Sequence, residues 1–297
     1  MKRKSIIIRA RYLLEALLIL PIYLIFQILP FRVSAFIIGK LLKVFGRFHP
    51  ANRIAIKNLN LAFPEKSIDE IREIAKNSWE NLGKTAGSFV GITKLSKKEI
   101  EELSPIQNKH FVEEAQKNSS GGIIIVSAHT GNWEIGSSYL NALVPNISMI
   151  YRHANNPFVE KLIAKNRKKY SDFIIRKGDK SGFRDIYQHL KNGGSLAIVA
   201  DQKIRDGVEV NFFGQVTKAP STPAELALRF NLPIVMGRNI ALENGKFLSS
   251  FEKPIYPENK SVLELTQEIY NYFERWIREY PDQWFWMHNR WYLRHCS

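Results

Sequence analysis

The sequence predicts an α/β fold in which a mainly parallel sheet is flanked by helices, with a membrane-anchoring helix at the N-terminus. Two short apolar runs rich in β-branched residues, 123–127 and 195–200, predict strands buried on both faces. The segments between and around such runs carry apolar residues at helical spacing. Strands that alternate with helices favour parallel pairing, so these observations together indicate the fold class.

The N-terminal helix is predicted from residues 13–31, an apolar run of about the length that one helix needs to cross a bilayer. Both flanks are basic, so the positive-inside rule indicates no orientation. A cleavable signal peptide and a buried core helix are the alternatives. No small-residue cleavage site ends the run, and we interpret it as a membrane anchor.

A second apolar segment, residues 33–48, carries Lys40, Lys43 and Arg47 at near-helical spacing. This pattern is typical of a helix lying among lipid headgroups, and a soluble amphipathic helix fits it as well. No Ser/Gly-rich linker follows. We therefore predict an anchor and interfacial helix over residues 1–60 and an α/β domain over residues 61–297.

The remaining elements follow from periodicity and from turn signals along the chain. Residues 67–118 are predicted to be largely helical. Further helices are predicted at 133–143, 157–170, 183–191, 223–230 and 262–279. Strands are predicted at 123–127, 147–151, 173–175, 195–200, 233–240 and 246–251, the last two flanking a Glu-Asn-Gly turn.

Charge and composition restrict the partners. The chain has 43 Lys and Arg residues against 28 Asp and Glu residues, a formal net charge of +15, which favours an anionic partner. No nucleic-acid-binding module is recognisable and an apolar anchor is unexpected in such a protein, so we predict anionic membrane lipids and no nucleic acid. Cys296 is the only cysteine, which excludes an intramolecular disulfide and any zinc site with two or more cysteines.

Polar side chains follow two of the predicted buried strands, where sites form in open α/β sheets. One cluster, residues 127–134, contains His129 and Glu134; the other is Ala-Asp-Gln at 200–202. Along one continuous helix, five residues would rotate Glu134 by about 140° from His129, so the pair converges only if the chain turns at Gly131. A carboxylate that orients an imidazole makes a general base, and a histidine held by structural hydrogen bonds is the alternative.

These clusters belong to a series of blocks that resemble a known family. Residues 127–136 (SAHTGNWEIG) resemble the H-x4-D/E motif of glycerolipid-type acyltransferases, in its glutamate version. Further blocks resemble the late acyltransferases of lipid A biosynthesis: YRHANNP at 151–157, ADQ at 200–202, NFFG at 211–214, APST at 219–222 and YPDQWFWMHNRW at 280–291. The likeness covers nearly the whole chain in order, which makes it specific for the family.

The resemblance implies a glycerol-3-phosphate acyltransferase-like fold and an acyl-transfer reaction. A fatty acyl chain would pass from a thioester of acyl carrier protein or coenzyme A to a hydroxyl of a lipid A precursor, with no other cofactor and no metal. His129 would remove the hydroxyl proton and Glu134 would orient its ring, with Arg167 and Asp201 completing the catalytic set. Arg167, or backbone N–H groups after Gly131, would stabilise the oxyanion.

The predicted substrate-binding residues, which would contact oxygens of the acceptor, are Arg152, Asn156, Gln202 and Asn132. The partners implied are anionic membrane lipids, a phosphorylated glycolipid acceptor and acyl carrier protein. The family places such an enzyme at the bacterial inner membrane, with the catalytic domain on the cytoplasmic side.

The resemblance leaves the acceptor open. Lys203 stands where family members commonly have a second acid, and acyltransferases acting on phosphatidylinositol mannosides share the His-Thr-Gly-Asn-Trp-Glu motif. Such a mannolipid is therefore the alternative acceptor. A membrane lipid-binding protein without catalysis is the remaining alternative.

Overall fold

The computed structural model describes residues 2–152, 154–168, 173–177 and 180–291, and the side chains of all of these except 2–7, 151–152, 173–177 and 180–181. The helices are α1 Lys2–Ile28, α2 Phe31–Phe45, α3 Ala51–Ala62, α4 Ile68–Ile92, α5 Lys97–Leu103, α6 Lys109–Asn118, α7 Trp133–Ser138, α8 Leu140–Leu143, α9 Pro157–Arg167, α10 Lys180–Lys191, α11 Thr222–Phe230 and α12 Val262–Glu279. The strands are β1 Ile106–Gln107, β2 Ile124–Ser127, β3 Ile147–Arg152, β4 Phe173–Lys177, β5 Ser195–Val199, β6 Val208–Phe212, β7 Gln215–Ala219, β8 Ile234–Ala241 and β9 Phe247–Phe251.

Seven strands form one sheet in the order β1-β9-β8-β2-β5-β3-β4. Every neighbouring pair is parallel except β8 and β9, which form the predicted hairpin. The predicted α/β class with a mainly parallel sheet is therefore confirmed. The strand β1 and the separate antiparallel pair β6 and β7 were not predicted. The β6–β7 turn uses positive φ angles at Phe213 and Gly214, and the aromatic residue there hides the turn from a composition-based prediction.

The central strands are apolar because both of their faces are buried. In β2, Ile124 and Val126 face one core cluster, whereas Ile125 faces the other. The first cluster continues into the aromatic residues of α12 and of the segment that follows it, including Trp276, Trp284 and Trp286, each at most 3% exposed. These tryptophans therefore pack in the core.

Two predicted helices are shorter or divided. The helix predicted over 133–143 is two short helices, α7 and α8, separated at Tyr139. The helix predicted over 157–170 ends at Arg167, and Tyr170 lies outside the described residues. Pro157 occupies the first turn of α9, as its missing N–H permits.

Helix α2 packs tightly against α4 because glycines lie at the contact. A Cβ atom at Gly87 would come within 2.4 Å of the Ser34 carbonyl oxygen, and one at Gly83 within 2.5 Å of the Ile38 carbonyl oxygen. Glu80 of α4 adds ion pairs to Lys40 at 2.9 Å and Lys43 at 2.6 Å. One face of α2 is thereby held against α4 and the α/β body.

The other face of α2 and most of α1 are apolar and exposed. Phe36 and Phe45 of α2 are each 60% exposed. Within α1, the segment Ile8–Ile28 is long and apolar enough to cross a bilayer, with a mean hydropathy of 1.6. Almost none of this segment is buried inside the protein. Exposed apolar surface of this extent is typical of contact with lipid.

Helix α3 belongs to the main core rather than to the anchor. Ala55 and Leu59 are fully buried and Ala62 is 1% exposed, all within the cluster that includes the central strands. The division of the chain at residue 60 stays a prediction, but the packing of the α/β core begins before that residue.

Candidate active site

The register between β2 and β5 brings the two polar clusters together. The strands are parallel, and Ser127 at the end of β2 lies opposite Val199 at the end of β5. His129 and Asp201 each follow two residues later, so both leave the sheet at the same edge. The Nδ1 atom of His129 is 2.7 Å from Oδ1 of Asp201, although the residues are 72 positions apart in sequence.

Asp201 is held in a fully hydrogen-bonded environment. Its Oδ2 atom accepts a bond from the backbone N–H of His129 at 3.1 Å and one from Nε1 of Trp284 at 2.8 Å. The Asp201 side chain is 2% exposed, whereas that of His129 is 23% exposed. The carboxylate is therefore more deeply buried than the imidazole to which it is bonded.

The charges of this pair stabilise each other. Burial alone would raise the pKa of Asp201, but the His129 charge and the hydrogen bonds from His129 and Trp284 lower it to about 2. Burial alone would lower the pKa of His129, but the charge and hydrogen bond of Asp201, with a further contribution from the charge of Glu134, raise it. The imidazole is thus a stronger base than an isolated histidine.

The turn after His129 depends on Gly131, whose φ is +53° and where a Cβ atom would lie 2.2 Å from the Asn239 carbonyl oxygen. Its own carbonyl oxygen accepts hydrogen bonds from Asn81 Nδ2 at 3.0 Å and from Thr85 Oγ1 at 3.1 Å, both on α4. Its N–H donates to the Gln283 carbonyl oxygen at 2.9 Å. The catalytic turn is therefore fixed by helix α4 and by the C-terminal segment.

Glu134 does not make the contact that its spacing predicted. Its carboxylate accepts a hydrogen bond from Nη2 of Arg167 at 2.6 Å, while the imidazole bonds to Asp201. Glu134 lies in the first turn of α7, where a carboxylate also faces the positive end of the helix dipole. The expected orientation of the ring by Glu134 is thus corrected: Asp201 holds the ring, and Glu134 acts on it through charge and holds Arg167.

The predicted substrate-binding residues fall into different environments. Asn132 is 1% exposed, accepts a hydrogen bond from Ile135 N–H as the N-cap of α7, and donates to Ser88. Asn156 caps α9 and donates to the Tyr12 carbonyl oxygen of α1 at 2.8 Å. Both amides therefore hold helices in place, and Asn156 joins the N-terminal helix to the helix that carries Arg167.

The remaining two residues of that prediction are Gln202 and Arg152. Gln202 is half-buried and lines the cleft in front of His129. Arg152 ends β3, and its side chain lies outside the part that the structure describes, as does His153 beside it. Of the four predicted substrate-binding residues, Gln202 is the one that the described part of the structure places at the cleft.

Two cavities meet at this edge of the sheet. A cleft of about 600 Å³ is lined by His129, Gln202 and Lys203 on one side and by residues of α10 and α11 on the other. Behind it lies an apolar pocket of about 110 Å³, whose wall includes Leu140 and Phe251. The residues that line both cavities are Trp133, Ile150, Arg167, Ile198 and Val199. The Arg167–Glu134 pair therefore stands at the junction of a polar cleft and an apolar pocket.

This arrangement accords with the comparison of the whole chain with known families. The model of the bacterial lipid A biosynthesis acyltransferase family matches residues 2–292. The chain belongs to this family. The predicted family is thus confirmed, and the site just described is that of a lipid A acyltransferase family member.

Individual relatives of this family member are distant. The lipid A biosynthesis palmitoleoyltransferase of Escherichia coli (strain K12) is 24% identical over 277 residues, which cover 90% of this chain and 87% of that protein. A phosphatidylinositol mannoside acyltransferase of Mycolicibacterium smegmatis is 21% identical over 177 residues, so the match spans 57% of the length of that relative. The crystal structure of the LPA acyltransferase PlsC from Thermotoga maritima aligns with a TM-score of 0.41 at 13% identity, covering 86% of this chain and 96% of that one.

Two residues that contact the site were missed from the sequence. Trp284 received no role of its own, yet its indole N–H bonds to Asp201. His288 received no role, yet it lines the same cleft as His129. Both residues lie in the C-terminal block that resembles the family. The sequence identified the block, but it did not predict that the block contacts residues more than 80 positions away.

Proposed function

We propose that this lipid A acyltransferase family member transfers a fatty acyl chain from an acyl thioester, carried by acyl carrier protein or coenzyme A, to a hydroxyl of a phosphorylated lipid A precursor. The observation that carries the proposal is the hydrogen bond between His129 and the buried Asp201, beside a cleft that shares five lining residues with an apolar pocket. The geometry of the pair and the raised pKa of His129 suit a general base.

The step requires no covalent enzyme intermediate. With Nδ1 bonded to Asp201, His129 Nε2 accepts the proton of the acceptor hydroxyl while the hydroxyl oxygen attacks the thioester carbonyl carbon. The carbonyl π electrons move to oxygen and give a tetrahedral oxyanion. When that intermediate collapses, the carbon–sulfur bond breaks and the thiolate takes the proton from His129, which yields the ester and a free thiol. Asp201 stabilises the imidazolium that exists between the two transfers.

The Arg167–Glu134 pair supports substrate placement in this proposal. Glu134 is 8% exposed and Arg167 is 22% exposed, so the pair is partly removed from water and its geometry is well defined. Arg167 lines both cavities. We assign it to holding oxygens of the acceptor where the acyl pocket and the cleft share their lining, with Gln202 as a second contact at the cleft wall.

The apolar pocket, at about 110 Å³, suits the part of the acyl chain next to the thioester. Its wall is built mostly from β-strand and helix side chains such as Ile125, Leu140, Met149 and Phe251, which gain free energy from burial against a hydrocarbon. The donor thioester would then have its carbonyl at the junction beside His129, and the acceptor would enter through the wider cleft.

Transfer assays with two acceptors test the function. The purified protein in detergent, given an acyl-carrier-protein thioester and a lipid A precursor, is expected to add one acyl chain, measured as the mass increase of the lipid. Phosphatidylinositol mannoside is the second acceptor, because mannoside acyltransferases are among the relatives. Acylation of the mannoside alone would favour that acceptor, and acylation of neither by a folded protein with either carrier would contradict the proposal.

We also propose that the protein resides in the bacterial inner membrane, with the cleft on the cytoplasmic side, attached by α1 and by the exposed apolar face of α2. The support is the exposure of both surfaces together with the basic residues beside them. Both α1 and α2 would therefore bind the membrane through burial of apolar side chains as well as through charge.

A salt wash distinguishes apolar attachment from electrostatic attachment. At 1 M salt the Debye length falls to about 3 Å, so purely electrostatic binding is largely screened. We expect the full-length protein to stay with isolated membranes in 1 M NaCl and to be released by detergent, as measured by immunoblot of the two fractions. Release by salt alone would show that α1 and α2 do not insert.

A further inference from the structure

His288 is a second imidazole at the same cleft, and the proposed function gives it no task. It is half-buried and lines the cleft together with His129 and Lys203. Its backbone is held by the core, because the His288 carbonyl oxygen accepts a hydrogen bond of 2.6 Å from Nδ2 of Asn58, which is itself 1% exposed. The ring is therefore anchored in the core at its backbone and turned toward the cleft.

The protonation of this ring follows from one contact. The backbone N–H of Lys203 donates a hydrogen bond to His288 Nε2 at 3.2 Å. A neutral imidazole whose Nε2 accepts carries its hydrogen on Nδ1. Desolvation lowers the pKa of His288 to about 4, with smaller opposing and reinforcing contributions from Asp201 and the nearby cations, so the ring is neutral near pH 7. His288 thus presents an Nδ1–H donor, for which the described part of the chain supplies no acceptor.

Several of the donors that the sequence offered for an oxyanion are already engaged. The N–H of Gly131 donates to the Gln283 carbonyl oxygen, and the N–H of Asn132 donates to Asn239 Oδ1. Arg167 directs Nη2 and Nε to Glu134. The reaction still requires a donor at the developing negative charge, because an unsolvated oxyanion in a partly buried cleft is costly.

We propose that His288 is a further catalytic residue, whose Nδ1–H donates a hydrogen bond to the carbonyl oxygen of the acyl thioester and stabilises the oxyanion of the tetrahedral intermediate. This role rests on the proposed acyl transfer. His288 keeps its proton throughout: the proton of the acceptor hydroxyl goes to His129 and then to the thiolate. A neutral donor suits this task, because it strengthens its hydrogen bond as charge develops on oxygen without losing the proton.

Two substitutions of His288 distinguish the roles of its two ring nitrogens. In His288→Gln the side-chain amide reaches the position of Nε2 and retains an acceptor for the Lys203 N–H, but nothing replaces Nδ1–H. In His288→Asn the shorter amide occupies the position of Nδ1 and retains the donor. We expect His288→Gln to lower kcat by about 10²- to 10³-fold with little change in KM, the range measured when one oxyanion donor is removed. His288→Asn should stay within about tenfold of the unchanged protein.

A second reaction of the same protein gives an independent measurement. When water replaces the acceptor, hydrolysis of the thioester passes through an oxyanion on the same carbonyl oxygen. His288→Gln should therefore reduce hydrolysis by the same factor as transfer, with the pH midpoint of kcat/KM unchanged because that midpoint belongs to His129. A residue that only binds the acceptor would leave hydrolysis intact.

The outcomes distinguish this inference from the proposed function. Equal losses in the Gln and Asn variants, a Gln variant that keeps full kcat, or a loss in transfer without a loss in hydrolysis would each overturn the role of His288 while the unchanged protein still transfers acyl chains. Absence of transfer by the unchanged protein would overturn the function and this role together. Circular dichroism and thermal melting of both variants show whether a loss of kcat accompanies a loss of fold.

Discussion

Replacing His129 with Ala is expected to lower kcat/KM for acyl transfer by about 10³- to 10⁴-fold. The substitution removes the group that takes the hydroxyl proton, and general-base catalysis by a positioned side chain contributes on this order. The truncation also leaves Oδ1 of the buried Asp201 without its partner, so some loss of stability is expected and the melting temperature is measured beside the activity. Initial rates of transfer to the lipid acceptor, measured with saturating thioester, give the factor.

The matched control for this substitution is His110→Ala. His110 lies exposed on α6 and does not line the catalytic cleft. It should retain full activity. Activity of His129→Ala within tenfold of the unchanged protein, with a normal melting temperature, would refute the assignment of His129 as the base.

Replacing Asp201 with Asn is expected to lower kcat by about 10³- to 10⁴-fold through the tautomer of His129. The N–H groups of Trp284 and of the His129 backbone both donate to Oδ2, so the amide oxygen of Asn must occupy that position. The amide NH₂ then faces Nδ1 of the ring, which must accept. The ring hydrogen is thereby placed on Nε2, where the base is needed.

The pH dependence provides a separate measure of Asp201. The negative charge of Asp201 raises the pKa of His129, so kcat/KM of the unchanged protein should rise with pH through a midpoint above the ordinary histidine value of about 6.5. Removing the charge lowers that pKa, so the midpoint in Asp201→Asn should move to lower pH. Rates between pH 5 and 9 measure the shift, and Asp206→Asn, at an exposed position, is the control. An unchanged midpoint would indicate that Asp201 does not act on His129 through charge.

The sequence was sufficient for the elements that depend on local patterns. The buried strands around Ile125 and Ala197 carry continuous apolar, β-branched runs because both faces of each strand are covered. The positions of His129 and Asp201 after strand ends followed from the same runs. Gly131 was identified as the point where the chain turns, and its positive φ has the conformation that glycine adopts most readily.

The sequence did not predict which side chains these residues contact. The H-x4-E spacing favoured Glu134 as the partner of His129, because only neighbours in sequence can be related by spacing. The register of β2 against β5 instead places Asp201 at the ring, and α9 brings Arg167 to Glu134. Contacts of Trp284 and His288 with the cleft likewise depend on how the C-terminal segment returns to the sheet.

The sequence by itself determined the fold class and the family and predicted His129, Glu134, Arg167 and Asp201 as site residues, since apolar periodicity and ordered motifs are local properties of the chain. Only the tertiary structure decided which carboxylate holds which cation. Asp201 pairs with His129 across 72 residues because parallel strands bring their carboxyl ends to one edge, whatever the length of chain between them. Glu134 pairs with Arg167 across 33 residues because helix α9 packs where it carries Arg167 to the start of α7.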